Sequence, residues 1–381
     1  MATEHLDVVI VGAGISGVGF ACRLRERRPE LSQAILEARD GLGGTWSLFR
    51  YPGVRSDSDM FTLGYPFRPW SKPDTMPDGA SILDYVRETA DQFGVAEHIR
   101  YRHRVVAARW SSARKRWTLD VEVLGEDGSA VETVEMTCWF LLMCSGYYRY
   151  ERGHTPALPG VERFAGTVVH PQDWSDGVDY QGKRVVVLGS GATAVTMVPA
   201  MTREAAHVTM LQRSPSYVLT VPATDAVAAL LPKWVPAGVR FRLVRWKNIV
   251  QIVLIYQVSR RFPRTVRAIL RRQAQAALPT GFPVDVHFNP RYDPWDQRMC
   301  MVPDGDLFRA IRNGDASVVT GHIAGFTENG VRLRDGAEVP ADLVVTATGL
   351  DMRLFGGVRI VVDGQDVSLP DTLTYKGVML A

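Results

Sequence analysis

The chain has 381 residues, of which 46% are hydrophobic and 22% charged, with a formal net charge of +3. That length accommodates two domains of ordinary size, and that composition excludes a disordered or fibrous class. The small net charge argues against nucleic acid as the main partner. Cys22, Cys138, Cys144 and Cys300 show neither CxxC nor zinc-type spacing, which argues against a metal site or a dithiol pair.

The N-terminus, MATEHLDVVIVGAG, runs straight into a strand without a basic leader or a small-residue cleavage site, so a cytoplasmic location is expected. DVVIV at 7–11 reads as a buried parallel strand. GAGISG follows, with Gly12, Gly14, Ser16 and Gly17, and then a helical pattern that stops at Pro29. The next apolar run, QAILE, ends at Glu37, twenty residues after Gly17. Strand, glycines, helix, strand and terminal acid at this spacing predict a dinucleotide-binding βαβ unit. The helix N-terminus supplies N–H groups for a pyrophosphate, and Glu37 can accept hydrogen bonds from ribose hydroxyls.

Residues 43–59, GGTWSLFRYPGVRSDSD, have neither helical nor strand periodicity. The loop starts six residues after Glu37, so it is expected to run along the dinucleotide. Gly43 and Gly44 let backbone lie against a cofactor, Thr45 and Trp46 can hydrogen-bond and stack, and Pro52 stiffens the return. From Arg104 to Phe140 the pattern predicts β-hairpins around a GEDGS turn, and FLLMCSGYY at 140–148 reads as a separate returning strand. Residues 151–163 read as a linker.

A second unit begins at Arg184 with RVVVLGSGATAV. Its fingerprint is Gly189, Gly191 and Ala194, with Ser190, Ala192 and Thr193 between and beside them. The following strand ends in Gln212 and Arg213 instead of an acid. A carboxylate there would repel a 2′-phosphate, whereas a guanidinium can bind it with two parallel N–H bonds. The first unit is therefore read as binding FAD and the second as binding NADPH. Between Asp225 and Asp285 the chain has no Asp or Glu, yet it includes RFRLVRWK and RRFPRTVRAILRR. This predicts a helical insertion at about 224–290, and makes the basic segment 240–272 a candidate for peripheral membrane contact. GDLFRAIRNG then reads as a helix, and VRLRDGAEVPADLVVTATG as a hairpin and a last buried strand ending at Gly349.

Together these residues resemble the class B flavin monooxygenases of the Baeyer–Villiger type. Gly43, Gly44, Trp46, Tyr51, Pro52, Gly53 and Asp57 fit one family pattern, and Phe164, Gly166, His170 and Trp174 fit another, with Ser175 in place of the usual Pro or Asp. TATG at 346–349 matches the family's crossing back to the flavin domain. The resemblance implies an α/β chain of two Rossmann-like dinucleotide-binding domains, with β-meander insertions and a helical insertion in the NADP domain. It divides the chain into a FAD-binding domain at 1–150 and 340–381 and an NADP-binding domain at 151–339. It further implies that Asp57 lies beside the flavin ring with Arg298 as the second catalytic residue, and that Arg55 and Val105 contact cofactor. His170 is expected to act as a hinge or hydrogen-bonding residue, and Asp59 to be structural. The implied activity takes O2 and NADPH, and through a C4a-peroxyflavin inserts oxygen into a small apolar ketone or adds it to sulfur in thioethers or thioamides. An N-hydroxylating flavin monooxygenase and a shortened FAD-binding protein without turnover are the alternatives. The latter arises because the chain stops within the apolar run LTYKGVMLA, where the family continues.

Overall fold

Apolar runs too short for helices and free of turn-forming residues set the two central sheets. The computed structural model describes residues 3–232, 234–297, 299–368, 371–375 and 379–380. The chain forms two units, one of residues 1–48, 80–149 and 351–381, the other of 49–79 and 150–350. Both have the α/β architecture expected of dinucleotide-binding domains.

In the first unit, β1 (Glu4–Val11) lies parallel to β2 (Gln33–Leu36) on one side. Its Leu6, Val9 and Val11 enter a core shared with Leu36, Val105, Leu119 and Met136. Ile10 points to the other face, toward α1 (Ile15–Arg27). β3 (Ile99–Arg100) extends the sheet beyond β2. On the opposite side β4 (His103–Ser111), β5 (Arg116–Leu124) and β6 (Ala130–Met143) form an antiparallel meander. Strands Arg359–Val362 and Gln365–Asp366 continue it past β4.

The expected break at Phe140 is absent, because β6 is one strand of 14 residues. It pairs antiparallel with β5 up to Cys138 and parallel with β1 from Met136 to Met143. The change in apolar pattern near residue 140 marks a change of neighbour, and no Gly or Pro between 131 and 143 offers a turn.

In the second unit five strands run parallel, in the order Ala316–Thr320, His207–Gln212, Arg184–Leu188, Leu343–Val345 and Thr167–Val169. Alternate residues serve opposite faces, as strand geometry requires. Val185, Val187, Leu343 and Val345 join a core with helix Ala192–Met201, while Val186, Leu188 and Val344 join another with Phe164, Phe326 and Val331. The helical insertion contains Ala226–Leu230, Ala237–Arg261, Pro263–Ala277 and Val284–His287. Pro263 cannot continue the preceding helix, and its fixed φ suits the first turn of the next.

Residues 49–79, which a domain boundary at 150 assigns to the first unit, pack into the second. Tyr51 is buried in its core with Phe49 and Val54 against it. A side chain at Gly53 would meet Ala200 Cβ at 2.6 Å, so this loop presses on helix Ala192–Met201.

Asp342, just before strand Leu343–Val345, ties it to the central strand Arg184–Leu188. It accepts from the Arg184 backbone N–H at 2.8 Å and from the Arg184 guanidinium at 2.6 and 3.0 Å. The side-chain and backbone bonds from Arg184 hold its carboxyl down to about 2. The depressed value means that the pair's stabilisation is fully present above about pH 4 and lost as pH falls toward 2. Because the pair is substantially exposed, its net worth near neutral pH is at most about 1 kcal/mol. Thermal melts between these pH values are therefore expected to fall more steeply for the native chain than for Asp342→Asn.

Candidate functional site

The turn from β1 into α1 is set by two backbone contacts that exclude side chains. Gly12 has φ +103°, and a Cβ there would lie 2.5 Å from the Cys144 carbonyl oxygen. A Cβ at Gly17 would lie 1.9 Å from the Gly12 carbonyl oxygen. Gly14 is different. Its φ of −77° suits any residue, and the nearest atom to an added Cβ is Gly44 Cα at 3.8 Å. The chain itself thus has no need of glycine at 14, since a methyl there would make only ordinary contact. Gly14 caps α1 without a side-chain hydrogen bond, no acid occupies the first turn, and Ser16 is exposed there. The helix start therefore keeps a partial positive charge that no acid in its first turn offsets.

Glu37 is buried just past β2. Its Oε2 accepts from the Ala13 N–H at 2.8 Å and its Oε1 from the Arg39 N–H at 3.0 Å. The carboxylate is thereby fixed against the glycine turn with its remaining lone pairs unspent. Arg39 is a residue that sequence reasoning missed. Its guanidinium donates to the Gly44 carbonyl at 3.3 Å and to Ser47 Oγ at 2.8 Å, and Gly43 N–H donates to the Ala13 carbonyl at 2.9 Å. These bonds fold Thr45–Leu48 into a single helical turn, with Thr45 and Trp46 half-buried, where no regular structure was expected. The only signal for Arg39 was a cation two residues past Glu37. Gly12, Gly14, Glu37, Gly44, Thr45 and Trp46 are thus brought together in one unit. Val105 faces the hydrophobic core, so only its backbone can serve a ligand.

The second unit repeats the arrangement. Gly189 has φ +137°, and a Cβ there would lie 2.3 Å from the Ala347 carbonyl oxygen. Around Gly191 nothing lies within 4 Å of an added Cβ. Ala194 is fully buried in the core, while Ala192 and Thr193 are half-buried in the first helical turn. Ser190 Oγ donates to the Ser214 carbonyl at 3.2 Å and shares a bond with Ser216 Oγ at 2.9 Å. That clip holds the segment after Arg213 against the glycine turn. Arg213 is exposed and has no carboxylate partner among the described residues. Gln212 is 1% exposed, and its Nε2 donates to the His287 carbonyl at 2.8 Å and to Thr320 Oγ1 at 2.9 Å. Its amide N–H groups are therefore committed to structure. Burial lowers the pKa of the neighbouring His287, which keeps its imidazole neutral.

Arg55 and Asp57 lie in the 49–79 segment. The Arg55 guanidinium pairs with Asp306 at 2.6 Å, and its Nε is buried without a partner. Asp57 is half-buried. Asp59 caps helix Met60–Leu63 by accepting from the Thr62 N–H at 3.0 Å, and it also accepts from Asn248 Nδ2 at 3.0 Å. His170 Nδ1 accepts from the Gln172 N–H at 3.1 Å, which leaves Nε2–H to donate to the Gly349 carbonyl at 3.1 Å. The ring fills the space beside Gly153, where a Cβ would lie 1.9 Å from His170 Cε1. Arg298 lies outside the described residues.

The flavin-binding monooxygenase-like family model matches residues 5–262. The FAD-containing monooxygenase EthA of Mycobacterium tuberculosis is 50% identical over 380 residues, covering 100% of this chain and 76% of that relative. Among solved structures, an oxidised steroid monooxygenase bound to NADP superposes with a TM-score of 0.73 at 24% identity, covering 95% of this chain and 75% of the other. An open crystal form of cyclohexanone monooxygenase gives 0.75 at 20% identity, covering 96% and 78%. At those identities the superpositions show a common fold.

The two kinds of glycine have separable consequences. Gly17→Ala should unfold the first unit or lower its stability by more than about 3 kcal/mol, since backbone must move to admit the methyl. Gly14→Ala should stay within about 1 kcal/mol of the native chain in denaturant titrations.

Proposed function

The chain belongs to the flavin-binding monooxygenase-like family, and from that premise we propose that it is an FAD-containing, NADPH-dependent monooxygenase. The observation that carries the reading is the pair of glycines, 14 and 191, that nothing in the chain requires, each at a helix start where a side chain would fit without a clash. A pyrophosphate needs this backbone-only approach. The strand ends then differ in charge. The fixed carboxylate of Glu37 suits a ribose with free hydroxyls, and the unpartnered guanidinium of Arg213 suits a 2′-phosphate.

Gly12, Gly14, Ser16, Gly17, Glu37, Gly44, Thr45 and Trp46 would hold FAD. Ser190, Gly191, Ala192, Thr193 and Arg213 would hold NADPH, with Gln212 supporting the strand end. When bound, the flavin supplies hydride acceptance and oxygen activation. Within this reading Arg298 supplies a cation that cannot lose its proton, suited to negative charge developing on oxygen. Asp57 orients that cation, and Arg55 retains its Nε for a further acceptor. The substrate class that follows from the family is a small apolar ketone or a thioether or thioamide sulfur, with O2 as co-substrate.

Two variants test the assignments. Arg213→Ala should weaken NADPH roughly 10- to 100-fold, the loss of one charge-assisted contact, with NADH little changed. Equal weakening of both nucleotides would remove the phosphate role. Arg298→Ala should still oxidise NADPH while giving far less oxygenated product from a ketone or a thioether, by mass spectrometry. Native yields from that variant would exclude its role, and a native chain that neither binds FAD nor consumes oxygen would overturn the whole reading.

A further inference from the structure

Helix Ala237–Arg261 exposes an apolar outer face opposite a buried inner face of mixed polarity. Its inner face buries Phe241, Val244, Asn248 and Ser259. At 3.6 residues per turn the outer face carries Val239, Leu243, Trp246, Val250, Val253 and Leu254. Exposures of 52% for Leu243, 64% for Trp246, 52% for Val250 and 56% for Leu254 leave this ridge in contact with solvent. Single exposed apolar side chains are ordinary, whereas a continuous ridge about 22 Å long marks a surface that meets something apolar. Trp234, in the turn before the helix, is 83% exposed.

The charges around the ridge identify its chemistry. From Asp225 to Asp285 the sequence has eleven Lys and Arg and no intervening acid. Arg245 donates to the Phe61 and Gly64 carbonyls, and Lys247, Arg260, Arg267 and Arg271 pair with Asp225, Asp296, Asp293 and Asp285. Arg240, Arg242, Arg261, Arg264 and Arg272 have no carboxylate partner among the described residues. By helical position Arg242 and Arg261 share the outer face, Arg242 within the first turn of the ridge and Arg261 beyond its last residue. An apolar stripe with an indole, flanked by guanidinium groups that have no carboxylate partner among the described residues, complements acyl chains beneath anionic headgroups. A second copy of the chain would set the same cations against each other.

We infer that this face is an anionic-lipid docking surface, which seats the ridge at the boundary between headgroups and acyl chains. The helix lies on the bilayer, since no described helix is long and apolar enough to cross one. This inference is independent of the oxygenase reading.

Flotation of the full chain with vesicles tests it without any activity assay. Binding is expected to equimolar phosphatidylcholine–phosphatidylglycerol vesicles, with little to phosphatidylcholine alone and release at high salt. Arg242→Gln and Arg261→Gln should each lower partitioning roughly fivefold. The triple variant Leu243→Gln/Trp246→Gln/Val250→Gln should abolish binding while its thermal melt stays native, because all three side chains face solvent. Equal binding to neutral vesicles, no binding to anionic ones, or indifference to both sets of substitutions would overturn the proposal. So would a lipid-free dimer in sedimentation velocity that the triple variant dissociates.

Discussion

The constraint on which each unit depends is a strand-to-helix turn with no room for a side chain. In the first unit a methyl at Gly17 would sit inside the van der Waals shell of the Gly12 carbonyl, and one at Gly12 inside that of Cys144. In the second, Gly189 faces Ala347 in the same way. Seating the helix this close to the sheet brings its first turn to the end of the strand, where its N–H groups and partial positive charge are concentrated. The second unit accommodates Ala194, fully buried, at the third position. The first unit admits only glycine.

What differs between the units is the charge at the end of the following strand and how firmly it is held. Glu37 is buried, and two backbone N–H groups fix one oxygen each. Such a carboxylate loses little freedom when it accepts further bonds, so it acts as a rigid acceptor. Arg213 is exposed and unpaired among the described residues, so it is a cation without a local counter-charge. The two ends differ in what they would favour: a 2′-phosphate would meet repulsion at Glu37 and attraction at Arg213.

The helical insertion ties the 49–79 segment into the second unit through polar anchors. Asn248 reaches Asp59, and Arg245 reaches the Phe61 and Gly64 carbonyls. Lys247 pairs with Asp225, which is buried and caps the short helix Ala226–Leu230. The inner face of helix Ala237–Arg261 is therefore specific and polar at its centre, while its outer face is apolar and unspecific. This division accounts for a long helix that lacks an ordinary polar side.

Fingerprint glycines, flanking strands, the positions of Glu37 and Arg213 just past strand ends and the helical insertion were all legible in the amino-acid order, because each follows from local spacing, steric limits or the sign of a charge. Residues whose meaning comes from partners distant in sequence were not legible. Gln212 looked like a ligand residue, but it spends its amide on His287 and Thr320; Val105 turned into the core; and Arg39 gave no sign that it clamps Gly44 and Ser47. The loop at 49–59 read as an appendage of the first fingerprint. Tyr51, Gly53 and Arg55 instead find a core, a helix and an acid in the second unit, at separations of up to 251 residues. The order of residues by itself determined where backbone could turn and where charge would stand, since those are properties of neighbours along the chain. Only tertiary structure decided which polar side chains were already consumed, because hydrogen-bond capacity is spent between groups that the fold brings together.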